Sequence, residues 1–367
     1  MATKPASFVT FGMFIVDEIE WLPPSTKERK TNLIGGAGTY AVLGAKLASS
    51  PCQIISKNIS WIVDVGSDFP SVIRNNIDEW NTDCNYRVDD TRLTTRAWNG
   101  YGENELRSFK YITPKKRLEV QDLSSRQLLS KSFHMLQSSR EKINLPAQMP
   151  VIVWEPIPDL CLPDQLATLQ SAMQGCTIVS PNHEELKTFF NADVANNEEP
   201  ALLVKRLMGW KQTHESPSTL TTPIVREGAN GSTAYFHHRH TDTISSVHLP
   251  AYHTSEMQSL VIDPTGGGNT YLGALAIAMT DALQSQPTYA LIKKNIGTAS
   301  TVATAMIYAT VAASFVIEQH GVPNLDRTKV FTEIFEYWNG QSFIDRLKVY
   351  LQRESEAIKR QLSLIPG

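Results

Sequence analysis

Short apolar runs rich in β-branched residues recur along the chain, several of them followed by a turn and a stretch of helical character. The runs are Phe8–Val16, Ile59–Val65, Phe133–Gln137, Val151–Trp154, Thr177–Ser180, Pro223–Arg226 and Leu260–Ile262. Helical stretches between them are Thr39–Ala48, Phe69–Asn76, Asp164–Met173, His183–Phe190 and Leu202–Thr213. A strand that is apolar on both faces must be covered on both, and an intervening helix returns the chain so that the next strand runs parallel. The pattern predicts an α/β fold around a mostly parallel central sheet covered on both faces, three layers deep.

Two pieces interrupt the alternation. Residues 18–34 contain a polar gap, Thr26–Asn32, ahead of a glycine cluster, and residues 93–112 form two extended runs around "NGYGENE". Both suit a small β sheet beside the main domain, placed as a lid. Beyond Leu260–Ile262 the pattern is helical: Thr270–Gln284, Lys293–Gln319, then helices from about Lys329 to Ser363. The expectation is one domain over residues 1–367, with lid segments at about 18–34 and 93–112 and a helical C-terminal extension over about 322–367.

Composition removes several function classes. The net charge is −3 with both signs interspersed, so no basic nucleic-acid footprint is expected; Lys115-Lys116-Arg117 reads as a solvated turn after Pro114. Cys52, Cys84, Cys161 and Cys176 are far apart with no CxxC pair, which suits reduced thiols. No run approaches the roughly 18–20 apolar residues that span a bilayer. The reading is a soluble cytoplasmic protein with neither nucleic-acid nor membrane partners. The imidazole-rich "FHHRHTD" (His237, His238, His240) fits an exposed hairpin better than a metal site, and His134 and His183 fit structural roles.

The stretch "VIDPTGGGNTYLGALAIAM" carries the most chemistry. An apolar run ending at Ile262 and a helix from about Thr270 place Gly266, Gly267 and Gly268 at a helix N-terminus. Unpaired N–H groups and the positive end of the helix dipole favour an anion there, and glycine lets phosphate oxygens approach the main chain. Asn182 and Glu185, three apart at a helix start, suit metal-bound water near phosphates through one amide and one carboxylate; "PNHEE" is equally a good helix cap.

"DPTGGGN" resembles the D-T-x-G-A-G-D signature of the ribokinase-like, or PfkB-type, carbohydrate kinases. "FGMFIVDEI", "IGGAGTYAVLGAKL", "VDVGSDF", "SPNHEEL", "VREGANG" and "YATVAASFVIEQHG" resemble further family segments in the family's order, over roughly residues 8 to 321. The resemblance implies a Rossmann-like, ribokinase-type fold with a small β lid, ATP and Mg²⁺ as cofactors, a monovalent-cation site in some members, and phosphorylation of an alcohol on a sugar or similar small molecule. It implies Asp17, Gly35, Gly36 and the Tyr40 position beside the substrate. On the nucleotide side it implies Asn182, Glu185, Gly228, Gly231 and Asp263, with Glu185 touching the metal through water. A homodimer through the lid is a family habit that no residue here specifies.

Three departures group at the catalytic end, as in a fungal branch of the family with an altered signature. The family's closing Asp, the general base, is here Asn269, whose carboxamide has no accessible basic lone pair. Asn269 can still orient a hydroxyl, and phosphoryl transfer depends heavily on positioning. The family's Asn in the glycine-pair segment is Tyr40, a phenol where a sugar normally sits. Pro264 replaces a Thr, removing a hydroxyl and an N–H near the monovalent-cation position. The sequence thus supports an impaired phosphotransferase first and a non-catalytic nucleotide-binding scaffold second.

Overall fold

The structure is a computed structural model that describes residues 4–50, 52–102, 107–136, 149–190, 198–211, 221–297 and 300–365. Gln137, residues 212–213 of one expected helix, and residues 103–105 of the expected lid turn lie outside these.

The main sheet has nine strands in the order β13-β12-β11-β10-β9-β8-β1-β4-β5. They are β1 (Phe8–Thr10), β4 (Ile59–Gly66), β5 (Asp83–Asp89), β8 (Ser132–Leu136), β9 (Val151–Glu155), β10 (Ile178–Val179), β11 (Thr222–Arg226), β12 (Ser232–His238) and β13 (Thr243–Leu249). From β11 to β5 all neighbours are parallel, and β12 and β13 add an antiparallel hairpin at one edge. Every residue of β4 is buried, as expected of a strand covered on both faces.

A second sheet, ordered β3-β2-β6-β7, stands beside it. Its strands are β2 (Ile15–Trp21), β3 (Lys30–Gly35), β6 (Arg96–Tyr101) and β7 (Arg107–Tyr111). The expected strand Phe8–Val16 is therefore two strands: β1 pairs in the main sheet, and after Phe11–Phe14 the chain leaves it to enter the second sheet as β2. Buried Phe11 and Phe14 make the crossing apolar, which hides the break.

Helices α1 (Ala37–Ser49), α2 (Ser71–Glu79), α3 (Leu166–Met173), α4 (His183–Thr188), α5 (Pro200–Met208), α6 (Gly267–Ala278), α7 (Pro287–Ile296), α8 (Thr301–Val316) and α9 (Phe343–Ser363) cover the sheet. Helices α1 and α6 cross at backbone contact: a Cβ at Gly44 would collide with the Thr270 carbonyl, and one at Gly273 with that of Ala41. This crossing brings the start of α1 against the start of α6, where the site lies. Among the described residues no single helix is long and apolar enough to cross a membrane.

Three further expectations are corrected. Residues 255–260 form a 3₁₀ turn, and Leu260–Ile262 is no strand. Leu260 and Ile262 are exposed, and the segment is tied down by N–H bonds from Ile262 and Asp263 to the Ile317 carbonyl. Lys293–Gln319 is broken at Gly297, in the left-handed region at φ 81°, into α7 and α8. The C-terminal segment opens with a hairpin, β14 (Leu325–Val330) and β15 (Glu333–Trp338), before α9.

Candidate active site at the mouth of the second sheet

The loop from Asp263 to Gly266 turns the chain into α6. Gly266 caps the helix in the left-handed region, φ 84°, a conformation that costs a side-chain-bearing residue about 1–2 kcal/mol. A Cβ there would also strike the ring of Tyr40, which is 3% exposed and packs against the loop from α1. Gly267 donates its N–H to the Pro264 carbonyl, whereas those of Gly268 and Asn269 have no partner among the described residues. Two unpaired amides at the positive end of a helix favour an anion. The N–H of Gly266 likewise has no partner among the described residues, so the unpaired donors are those of Gly266, Gly268 and Asn269.

A cavity of about 610 Å³ opens in front of this turn. Asp17, Gly36, Tyr40, Gly266 and Asn269 all line it, so residues from β2, α1 and α6 meet at one site. Asp17 is 8% exposed and packs directly on Gly35, where any side chain would collide with its carboxylate. Gly36 caps α1 at φ 94°. The Oδ1 of Asn269 is buried with no hydrogen-bond partner, an acceptor at a depth where acceptors are normally satisfied. Opposite the loop stand Phe109 and Tyr111 of β7, which make this sheet the outer wall of the cavity.

Asp263 does not line the large cavity. It is 2% exposed and braces the loop: Oδ1 accepts from the Thr265 N–H (2.9 Å) and the Tyr101 hydroxyl (3.1 Å), and Oδ2 lies 3.2 Å from His320 Nδ1. Burial pushes its carboxyl up, but the bonds from Thr265 and His320 more than offset this and hold it below the usual range. Asp263 therefore joins the glycine loop to β6 of the second sheet, a bracing position that its cofactor-side assignment did not anticipate.

On the far side of the loop, Asn182 and Glu185 cap α4 reciprocally: each backbone N–H donates to the other's side chain at 2.8 Å. The capping reading of "PNHEE" is thus correct, and it also fixes where the Glu185 carboxylate points. Gly228 and Gly231 flank the turn after β11, both at positive φ, 58° and 97°.

The connection between the two sides was missed in the sequence. Arg226, at the end of β11, extends under Gly268, where a Cβ would meet its guanidinium. Arg226 Nη2 lies 2.9 Å from Glu155 and 3.3 Å from Glu185, and donates to the Ser180 carbonyl at 3.0 Å. His134, fully buried, hydrogen-bonds Thr10 at 2.9 Å and lies 3.6 Å from Glu155. Burial disfavours the charge on Glu155, but Arg226 and His134 hold its pKa low. Glu185 is pushed up to about 7 by burial, with Arg226 opposing and Glu155 adding to the rise. Glu155 is thus well compensated, by Arg226 and His134, whereas Glu185 is left under-compensated, and carboxylates are the ligands a hydrated Mg²⁺ accepts. Glu185, with Glu155 beside it, fits such an ion. No signal in one sequence brings Glu155, Glu185 and Arg226 together, since each comes from a different strand–helix unit.

Lys115 and Arg117 are exposed, as expected of a solvated turn. Lys116 between them departs from it, pairing with Asp64 at 3.3 Å, and the exposed Lys115 and Arg117 border the cavity. The "FHHRHTD" segment is the β12–β13 hairpin, where His237 bonds Asp242 and stacks on Trp210, and His238 bonds Ser245.

A nine-stranded, largely parallel sheet, a small second sheet, and a glycine-capped helix between them define an α/β architecture of the ribokinase type. The chain belongs to the pfkB family of carbohydrate kinases, whose model matches residues 23–329. It is 36% identical to Protein MAK32 of Saccharomyces cerevisiae over 94% of this chain and 92% of that one. An uncharacterised protein of Schizosaccharomyces pombe is 32% identical over 97% of both chains. Among solved structures, a putative ribokinase II from E. coli in complex with ATP and Mg²⁺ superposes with a TM-score of 0.60 at 15% identity, over 95% of this chain and 99% of that one. A ribokinase from Cryptococcus neoformans in complex with ADP superposes at 0.54 and 16% identity, over 86% and 95%. These likenesses establish the ribokinase fold.

Proposed function

We propose that this protein is an ATP-dependent phosphotransferase acting on an alcohol group of a sugar or similar small molecule, with Asn269 orienting the acceptor in place of a general base. The observation that carries the reading is the convergence of three features on one cavity: the unpaired amides of Gly266 and Asn269, the buried unsatisfied Oδ1 of Asn269, and the carboxylate of Asp17. The amides would take the terminal phosphate. Asp17 and Asn269 would hold acceptor hydroxyls, and the oriented oxygen would form its bond to phosphorus as the bond to the bridging oxygen breaks. Without a carboxylate at 269 the hydroxyl proton passes to a phosphoryl oxygen or to water, which a loose transition state tolerates at a reduced rate. Glu185, with Glu155 beside it, would hold hydrated Mg²⁺, which supplies charge neutralisation at the phosphates. Pro264, whose carbonyl accepts from Gly267, offers no side-chain oxygen to a monovalent cation.

A second reading, a nucleotide-binding scaffold without turnover, draws on Tyr40, whose ring fills the loop side of the cavity. The two separate in one experiment. Wild-type protein is titrated with ATP and Mg²⁺, and phosphate transfer to a panel of sugars and polyols is followed. The kinase reading expects nucleotide binding and slow transfer to at least one acceptor. Binding with no transfer and no ATP consumption favours the scaffold, and absence of nucleotide binding defeats both.

A further inference from the structure

The glycine loop is gripped from the second sheet by a side chain that lies outside the large cavity. Tyr101 is the last residue of β6 and takes no part in lining that cavity. Its hydroxyl lies 3.1 Å from Asp263 Oδ1 and 3.2 Å from Thr265 Oγ1, while the Thr265 N–H donates to the same Oδ1 at 2.9 Å. A carboxylate that accepts the N–H two residues further on sets the direction of a turn. Gly266 follows at φ 84°, and with it begin the unpaired amides of Gly266, Gly268 and Asn269. The aim of those donors is therefore set one residue beyond a contact that Tyr101 completes.

Tyr101 is held in its turn. It is the register partner of Trp21 across β6 and β2, and the two rings stack with centres 6.3 Å apart and planes 28° apart. The Trp21 ring also meets His320 edge-on at 5.2 Å, and His320 Nδ1 lies against the other oxygen of Asp263. Among the described residues, both side chains that reach the Asp263 carboxylate from outside the loop thus bear on one indole. That indole belongs to β2, the strand that carries Asp17. Donors fixed in this way need no reorientation when an anion arrives, which is where preorganisation adds to binding.

We propose that Tyr101 is a positioning residue: through Asp263 and Thr265 it aims the main-chain amides at the start of α6 at a nucleotide's terminal phosphate. This role rests on the reading that those amides take that phosphate. It gives the second sheet a task beyond walling the acceptor cavity, because the sheet that carries Asp17 also sets the phosphate donors.

The test is equilibrium binding of ADP and of the non-hydrolysable analogue AMP-PNP, each with Mg²⁺, to the wild type and to Tyr101→Phe. The variant keeps a ring beside Trp21 and removes only the hydroxyl. The wild type's preference for AMP-PNP over ADP is expected to fall about tenfold, the order of one hydrogen bond to a charged group, with affinity for ADP unchanged. Retention of the preference overturns the inference. An equal loss of both nucleotides also overturns it, since that marks a general structural role and not aim at the last phosphate. Should thermal unfolding show that Tyr101→Phe does not fold, Thr265→Val removes the other hydroxyl of the contact and carries the same expectation and the same refutations. A wild type that binds both nucleotides equally, or neither, contradicts the terminal-phosphate reading of the amides itself, and the role of Tyr101 falls with it.

Discussion

Replacing Asn269 by Asp is expected to raise the rate of phosphate transfer by about 10²- to 10⁴-fold over the wild type, the usual worth of a general base. Asp and Asn have nearly the same shape, so the cavity wall and the contacts of α6 should persist. The first turn of a helix also tolerates a carboxylate well, because its charge meets the positive end of the dipole. What changes is one atom's chemistry: an amide nitrogen becomes an oxygen able to accept the hydroxyl proton. Nucleotide affinity should change little by comparison, so the gain belongs in kcat rather than KM. Transfer rates of Asn269→Asp and wild type, measured side by side at saturating ATP, decide the matter. An unchanged rate, with nucleotide still bound, would mean that the atom at 269 does not limit transfer, and the role given to Asn269 would fall.

The largest expected effect on stability lies away from the cavity. Lys46 of α1 and Glu336 of β15 are both fully buried, with Nζ 2.8 and 2.6 Å from the two carboxylate oxygens. Ser56 accepts from Lys46 at 2.9 Å, and Ser50, Gln53 and Arg327 donate to Glu336. Burial opposes the charge on Glu336, but Lys46 and these donors more than offset it and hold its pKa low. Burial outweighs Glu336 at Lys46, whose pKa falls. Glu336→Ala strands the ammonium and is expected to cost about 3–5 kcal/mol in denaturant unfolding. The double variant Lys46→Met/Glu336→Leu, which removes both charges, should recover much of that loss. The sign with pH follows: Glu336 is more acidic in the fold than in the unfolded chain, so the unfolded chain takes up the proton first. The pair's contribution is therefore complete above the ordinary carboxylate range and lost as pH falls below about 4. A cost under about 1 kcal/mol for Glu336→Ala would show that the pair does not hold the β14–β15 hairpin to α1. The link reaches the site, because α1 begins at Gly36 and carries Tyr40.

The elements legible in the sequence were those whose signal is local. The apolar runs of β4, β8 and β9 cannot be mistaken for exposed segments, and three glycines ahead of an apolar helix announce the turn at Gly266. Asp17, Gly36, Tyr40 and Asn269 were named from motif order; the α1–α6 crossing brings the last three together, and β2, paired with β3, adds Asp17 beside Gly35. The errors arose where local pattern and tertiary pairing disagree. "LDRTKVFTEIFEYW" reads as a charged amphipathic helix, yet its alternation also fits a hairpin, and Phe331 at φ 53° makes the turn. Leu260–Ile262 has the residues of a strand but no neighbouring strand to pair with. Arg226 looks like an ordinary surface cation until the fold shows which carboxylates it can reach. Lys116 has a partner, while Lys115 and Arg117 on either side of it are cations too and stay exposed.

The central claim is that the main-chain amides at the start of α6 face the terminal phosphate of a bound nucleotide. A crystal structure with a non-hydrolysable ATP analogue and Mg²⁺ tests it most directly. The account predicts a γ-phosphate oxygen about 3 Å from the nitrogen of Gly266, Gly268 or Asn269, with the phosphate bordering the cavity that contains Asp17. A nucleotide bound with its γ-phosphate remote from that turn, or a turn facing away from the cavity in the complex, would contradict it.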